Sequence, residues 1–347
     1  MHESDKMISP NNVNRILAVT IGGLGDAILF SPVLRALCFR YPQAEIELLL
    51  ASRLAELAFA KASEINRTIL INISQSLLPL RVAKFVPFAL RSRIYGGFDI
   101  GVFSTGLNPK LSVFLKSAAG IRNISCAPNP PAYTTDLACN VALAQHFNIN
   151  ISERDVFIPL TKESRVEAKE VLERHNIPWD EKKIIAVYPS TDLWHRPRWE
   201  LTKLKQVVML LLKEGFEGKV VIIGSSKEGE EWDQIEAEQR GEINLAGKLS
   251  ILGSAWLLKK SCLALCNDGG LMHVAGAVGC PLVVIMPNAP LSYRPPGQKT
   301  VVIHPKLSCA DACYPRRPKI CKISNCIDKI TVEEVFQKCR NLLYDIN

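Results

Sequence analysis

No stretch of this 347-residue chain approaches the roughly 20 uninterrupted apolar residues that a membrane-spanning helix needs. The start, Met1-His2-Glu3-Ser4-Asp5-Lys6, is polar and charged, with no apolar signal-peptide core behind it, so a cytoplasmic location is expected. No nucleic-acid module accompanies the net charge of +8, which points instead to phosphorylated substrates or an anionic membrane surface. An odd count of 11 cysteines without an export signal argues against a disulfide framework. Several of them (Cys38, Cys262, Cys266, Cys280) sit in apolar segments, where a thiol packs as a small hydrophobe. A composition of 48% hydrophobic and 22% charged residues excludes a disordered chain, and the length favours two domains over a single core.

Short apolar runs alternate with helical patterns in both halves. Arg15 to Val19 reads as a strand, Asp26 to Tyr41 as a helix and Ile46 to Ala51 as the next strand, with Thr68 to Ile71 and Ile100 to Phe103 following. In that helix Ile28, Leu29, Val33, Leu34, Leu37 and Cys38 recur at helical spacing, and Pro42 ends it. The second half repeats the pattern with Ile184 to Tyr188, Lys219 to Ile223, Cys262 to Cys266 and Leu282 to Met286. Such alternation implies βαβ units and parallel sheets: an α/β protein of two tandem doubly wound domains. A hinge is expected between Phe157 and Lys162, giving domains 1–160 and 161–330 and a terminal helix over 331–347.

Two glycine-rich turns carry the chemistry. After the first strand comes Ile21-Gly22-Gly23-Leu24-Gly25-Asp26. Its glycines permit a tight turn and leave room for a ligand near the main chain. Asp26 has two readings, a helix N-cap or a general base at the carboxyl edge of the sheet, where ligands of open α/β sheets bind. The spacing is not the dehydrogenase fingerprint G-x-G-x-x-G, and no Walker lysine follows. After the later strand comes Asn267-Asp268-Gly269-Gly270-Leu271-Met272-His273. There the amides of Gly270, Leu271 and Met272 are expected to hold a diphosphate at a helix N-terminus. His273 either bonds phosphate or is structural, and Ala275, Gly276 and Ala277 let the helix pack closely on the sheet. A third element, Tyr188-Pro189-Ser190-Thr191, precedes Trp194-His195-Arg196-Pro197-Arg198-Trp199, whose arginines suit an anionic leaving group or are plain surface charges.

Residues 77–93 mix Leu77, Leu78, Leu80, Val82, Phe85, Val86, Phe88 and Leu90 with Arg81, Lys84, Arg91 and Arg93. A basic amphipathic stretch of this kind either contacts a membrane interface peripherally or covers the N-terminal sheet.

Gly22 to Asp26 with Ser31-Pro32-Val33-Leu34-Arg35-Ala36-Leu37 and Tyr41-Pro42 resembles the N-terminal signature of the ADP-heptose:lipopolysaccharide heptosyltransferases, glycosyltransferase family 9. Asn267 to Ala277 with Gly279-Cys280-Pro281, and Asn244 to Ser250 before it, resemble the family's donor-site segments. The resemblance covers about residues 15–335. It implies a GT-B fold, meaning two Rossmann-like domains with the active site in the cleft between them, and a last helix packing back on the N-terminal domain. It implies inverting, metal-independent transfer of a heptose from a nucleotide diphosphate to a lipopolysaccharide-core glycolipid. Asp26 would be the base beside the acceptor-side loop of Gly22, Gly23, Leu24 and Gly25. Donor contacts would come from Asp268, Gly269, Gly270, Leu271, Met272 and His273, from Ser190, Thr191 and Arg196 on phosphate, from Glu228 on ribose, and from Leu249 and Ser250 beside adenine. No Asp-x-Asp metal motif is present.

The chain departs from the family pattern at two places. Pro197 stands where a lysine is usual, leaving Arg196, Arg198 or His195 to assist the leaving group, and Gly269 replaces a small polar residue. These departures leave open a different nucleotide sugar or acceptor, or a non-catalytic binding protein of the same fold. The C-terminal cysteines Cys309, Cys313, Cys321 and Cys326 are spaced C-x3-C-x7-C-x4-C, unlike a standard zinc ribbon, and read as free or loosely paired thiols, with a structural metal the lesser alternative. No cofactor is expected, since the nucleotide sugar is a substrate.

Overall fold

The computed structural model describes residues 10–71, 85–105, 109–128, 135–179, 183–190, 198–235, 241–286, 293–307 and 326–344. The chain divides into two compact units, Met1–Pro159 and Leu160–Asn347.

In the first unit, strands β1 (Arg15–Thr20), β2 (Glu45–Leu50), β3 (Arg67–Leu70), β4 (Phe98–Phe103) and β5 (Ile121–Cys126) form a parallel sheet in the order β3-β2-β1-β4-β5. Helices α1 (Leu24–Arg40), α2 (Arg53–Phe59), α3 (Val86–Ile94), α4 (Pro109–Ala119) and α5 (Asp136–Gln145) accompany it. Every residue of β4 is buried, as expected for a strand covered on both faces. Strand order reverses between β1 and β4, so their carboxyl ends flank the unit's switch-point crevice.

Helix α1 leads away from that crevice and is buried on nearly all sides, which explains why apolar residues run through it so densely. Pro32 lies inside it and cannot donate to the carbonyl of Ile28. The neighbouring hydroxyl makes up the loss: Ser31 Oγ donates to Ile28 O at 2.7 Å and accepts from Phe157 N at 2.8 Å. Helix α5 packs along α1, and Asn140 Nδ2 donates to Leu29 O at 3.0 Å across the contact.

Helix α3 settles what the described part of the basic amphipathic stretch does on its inner side. Phe85, Ala89 and Ser92 are buried, and Phe85 and Phe88 join the core beneath the sheet. Its outer side exposes Val86, Leu90 and Ile94 at i, i+4 and i+8, with Tyr95 and, on α4, Val113. Residues 77–84 lie outside the described residues.

In the second unit, β6 (Ile184–Tyr188), β7 (Lys219–Ile222), β8 (Glu242–Asn244), β9 (Leu263–Asn267), β10 (Leu282–Ile285) and β11 (Thr300–Ile303) form a parallel sheet in the order β11-β10-β9-β6-β7-β8. Its helices are α6 (Lys162–Arg174), α7 (Leu201–Lys213), α8 (Ser226–Asp233), α9 (Ile251–Lys260), α10 (Gly270–Ala277) and α11 (Val332–Tyr344). The switch point here falls between β6 and β9. Near the β8 edge, Lys205 Nζ lies 3.3 Å from Glu242 Oε1 with both side chains buried. Lys205 also donates to Ile235 O, and Trp232 Nε1 to Glu242, so neither charge is left without hydrogen bonds.

The last helix is built into the core of the second unit. Helix α11 lies on α7, β9 and β10, with Val335, Phe336 and Cys339 in the core of the second unit. The chain just before it is anchored there, because Ile327 and Ile330 are buried and Trp199 Nε1 donates to Ile330 O at 3.0 Å. The apolar stripe of α11 therefore closes on the nearest apolar surface, that of its own unit.

Candidate active site

Asp26 is the third residue of α1, three places beyond the N-cap Gly23. It is thus not itself the N-cap: its Oδ2 accepts from Gly23 N at 2.7 Å, the return half of a capping box. A β-carbon on Gly22 would stand 2.1 Å from Asp26 Cγ and 2.2 Å from Oδ2. Gly22, Gly23 and Gly25 all have ordinary backbone angles, so left-handed freedom is not what the turn requires. The glycine at 22 makes room for the aspartate itself. Gly22 and Gly23 are exposed, Asp26 is half-buried, and Leu24 and Gly25 are buried beneath them. A carboxylate has about four lone-pair sites, so the cap bond orients Asp26 without exhausting it.

A second carboxyl group stands in the same crevice. Asp136 opens α5, is 9% exposed and hydrogen-bonds the Thr105 side chain just beyond β4. Burial, reinforced by the charge of Asp26 and opposed by the Thr105 bond, pushes its pKa up to about 6. Its position in the sequence offered only a polar residue at a helix start, and the sequence reading did not single it out.

In the second unit the structure brings Ser190, Asp268 and Gly269 together. Ser190 is fully buried, and its Oγ donates to Asp268 O at 2.7 Å. Its backbone is left-handed, φ 57°, an unusual state for serine that this bond and Arg198 hold: Arg198 Nη1 donates to Ser190 O at 2.9 Å and to Glu231 Oε2 at 2.6 Å. Asn267, 1% exposed, clamps the loop from both ends. It donates to Pro189 O and Trp199 O and accepts from Trp199 N, at 2.8 to 3.1 Å. Arg198 thus braces the turn rather than standing as a solvated charge. Thr191, His195, Arg196 and Pro197 lie outside the described residues.

Helix α10 starts at this turn. Gly270 and Leu271, in its first turn, have no intrahelical acceptor for their N–H groups. The amide of Met272 is corrected as a phosphate donor, since it bonds Gly269 O at 3.2 Å. His273 is corrected too. It is fully buried, its ring lies edge-on to Tyr293 at 4.7 Å, and neither ring nitrogen has a partner among the described residues. Burial lowers its pKa to about 3, so it is a neutral interior residue and not a charged phosphate ligand. Gly276 makes room for the Pro296 carbonyl, 2.0 Å from a β-carbon built there, rather than for the sheet.

Glu228 is the third residue of α8 and caps it. Its Oε2 accepts from Ser225 N at 2.6 Å and Ser225 Oγ at 2.9 Å, and it is 4% exposed, so a ribose hydroxyl would have to share it. Ser250 caps α9 through Gly253 N, while both its N–H and hydroxyl donate to Glu167. Leu249 beside it is half-buried. Cys309, Cys313 and Cys321 lie outside the described residues, and Cys326 begins a short 3-10 turn, Cys326–Lys329.

Two doubly wound units, each with an aspartate-bearing turn at its switch point, are the parts of a GT-B glycosyltransferase. Residues 102–322 match the model of glycosyltransferase family 9 (heptosyltransferase), and the chain belongs to that family. Among curated proteins it is 25% identical over 301 residues to lipopolysaccharide heptosyltransferase 2 of Escherichia coli, covering 81% of this chain and 85% of the relative. It is 24% identical over 304 residues to lipooligosaccharide heptosyltransferase 2 of Haemophilus influenzae, with the same coverage. Among solved structures, a family 9 glycosyltransferase from Veillonella parvula aligns over 96% of this chain and 97% of its own, with a TM-score of 0.74 at 18% identity. The E. coli ADP-heptose lipopolysaccharide heptosyltransferase II aligns over 95% and 99%, with a TM-score of 0.69 at 21% identity. The E. coli heptosyltransferase WaaC with ADP aligns over 94% and 99%, with a TM-score of 0.62 at 15% identity. The chain is a glycosyltransferase with two Rossmann-like units.

Proposed function

We propose that this protein transfers a heptose from ADP-heptose to a lipopolysaccharide-core acceptor, with inversion and without a metal. The observation that carries the reading is the built turn at Asp268, where Ser190 and Asn267 hold an aspartate immediately before an uncapped helix N-terminus. The first-turn amides of α10 and its dipole bind the diphosphate and offset charge as it leaves. Asp268 binds the sugar hydroxyls, and Asp26 takes the proton of the acceptor hydroxyl. The acceptor oxygen attacks the anomeric carbon from the face opposite the diphosphate, the carbon–oxygen bond to phosphate breaks, and ADP leaves with its electron pair. The names of the relatives support the heptose and the lipopolysaccharide core.

The reading includes a location at the inner face of the cytoplasmic membrane, with residues 77–93 as the contact. The outward stripe of Val86, Leu90 and Ile94, with Arg91 beside it, suits an anionic lipid surface. A second reading, a different nucleotide sugar, draws on Gly269, where the side chain usual in the family is replaced by none. Thermal shift with ADP-heptose, ADP-hexoses and uridine diphosphate sugars separates the two. ADP-heptose is expected to raise Tm most, because only a bound donor stabilises the fold. A larger rise with another sugar nucleotide would overturn the heptose assignment.

A further inference from the structure

Tyr188 ends β6, directly at the switch point between β6 and β9. A β-carbon on Gly269 would stand 2.7 Å from Tyr188 Cε1, 2.9 Å from its hydroxyl oxygen and 2.9 Å from Ser190 Oγ. The backbone of Gly269 is extended, with φ 171°, a conformation any residue adopts, so conformation does not demand glycine there. The ring does. On its other side the same ring lies 3.4 Å from a β-carbon built on Gly224. The phenolic hydroxyl is hydrogen-bonded with the side chains of Ser190 and Glu228. One half-buried aromatic residue therefore touches all three turns that leave the sheet around the donor site: those after β6, β7 and β9.

We infer that Tyr188 is a positioning and specificity residue of the donor site, its hydroxyl standing beside the start of α10 where a side chain on residue 269 would otherwise place one. The inference rests on the donor reading above. Ser190 has one hydroxyl proton, shared between Asp268 O and the phenolic oxygen of Tyr188. Tyr188 donates to the Glu228 carboxylate, and its oxygen keeps a second lone pair to accept from a sugar hydroxyl. Burial and the Glu228 charge raise the phenol well above its usual value, so the hydroxyl keeps its proton throughout the working pH range. Through Ser190, Tyr188 also fixes how far the Asp268 turn stands from the Glu228 cap. The sugar end of the donor is read against this linkage, so its loss penalises a sugar-bearing nucleotide more than the bare diphosphate.

The test compares wild type with Tyr188→Phe, Tyr188→Ala, Gly269→Ser and the Tyr188→Ala/Gly269→Ser double variant, using ADP-heptose and ADP as probes. Tyr188→Phe is expected to keep Tm within about 2 °C and kcat within about threefold. It raises KM for ADP-heptose roughly tenfold, the value of one hydrogen bond to a charged network, and weakens ADP binding less than threefold. Gly269→Ser lowers Tm in the wild-type background and lowers it clearly less in the Tyr188→Ala background, where only the Ser190 hydroxyl still crowds the new side chain. An unchanged KM in Tyr188→Phe overturns the hydroxyl's role, and equal damage by Gly269→Ser in both backgrounds overturns the steric pairing. Wild type that binds ADP but not ADP-heptose, while the Tm coupling appears, sinks the heptose reading and leaves Tyr188 as the measured partner of residue 269. Wild type that binds neither probe overturns both.

Discussion

Replacing Asp136 by asparagine should make the first unit more stable at neutral pH and leave it unchanged in acid. Asp136 is 9% exposed, bonded to Thr105 and faced by the Asp26 carboxylate on α1, with the Cys139 thiol one turn along its own helix. Its pKa of about 6 lies above the ordinary 3.8, so the native state holds the proton more tightly than the unfolded chain does. Below pH 3.8 both states are protonated and the group costs nothing. As pH rises through 6 the native state must bear a buried charge beside another, and stability falls. The interval corresponds to about 3 kcal/mol as an upper bound, which solvent screening reduces to about 1–2 kcal/mol. Asparagine keeps the size and the acceptor for Thr105 and removes the titration. Thermal unfolding from pH 4 to pH 8 should show the variant about 3–6 °C above wild type at pH 7, with the gap closing near pH 4. A gap that is independent of pH, or a variant less stable at pH 7, would refute the reasoning.

Other substitutions probe separate parts of the account. Gly22→Ala places a methyl within 2.2 Å of the Asp26 carboxylate and should lower kcat at least about tenfold, with a stability cost of about 1–3 kcal/mol; full turnover would show that the carboxylate need not sit there. Asn267→Leu strips hydrogen bonds from Trp199 N, Trp199 O and Pro189 O in a buried place and should cost about 2–4 kcal/mol in chemical denaturation, whereas a loss under about 0.5 kcal/mol would deny the clamp. Leu90→Glu with Ile94→Glu, both on exposed positions of α3, should reduce binding to phosphatidylglycerol vesicles at least about tenfold without changing Tm, and unaltered binding would remove α3 from the membrane contact.

The strands most legible in the sequence are the uninterrupted apolar runs inside each sheet, although the edge strand Arg67–Leu70, exposed at both ends, was legible as well. Ile184–Tyr188 is the clearest, with every residue but the last buried. The strands that were not legible lie at or next to sheet edges. Ile121–Cys126 has only Ile121 buried and exposes Arg122 and Asn123 in succession, Glu242–Asn244 is only three residues, and Thr300–Ile303 is half-buried. Helix α1 was legible from its apolar density even though Pro32 lies inside it, since Ser31 supplies the compensating bond.

At the site, sequence order located both aspartates but not what surrounds them. Gly22 serves Asp26 and Gly269 serves Tyr188, and neither requirement is visible in a glycine's neighbours along the chain. The Tyr188–Gly269 pair is separated by 81 positions and meets only because β6 and β9 are adjacent. His273 misled for a related reason. One turn into a helix it is close to the diphosphate site in sequence, yet helical rotation turns its ring inward onto Tyr293.

The most direct measurement is ADP release by the purified chain from ADP-heptose and a heptose-deficient lipopolysaccharide-core acceptor, with Asp26→Asn alongside. Asparagine retains the acceptor for Gly23 N and hence the cap, while losing the base. The account predicts acceptor-dependent release by wild type and a loss of at least about a hundredfold in the variant, with ADP-heptose binding unchanged. Undiminished release by Asp26→Asn, or no release by wild type with this donor, would contradict it.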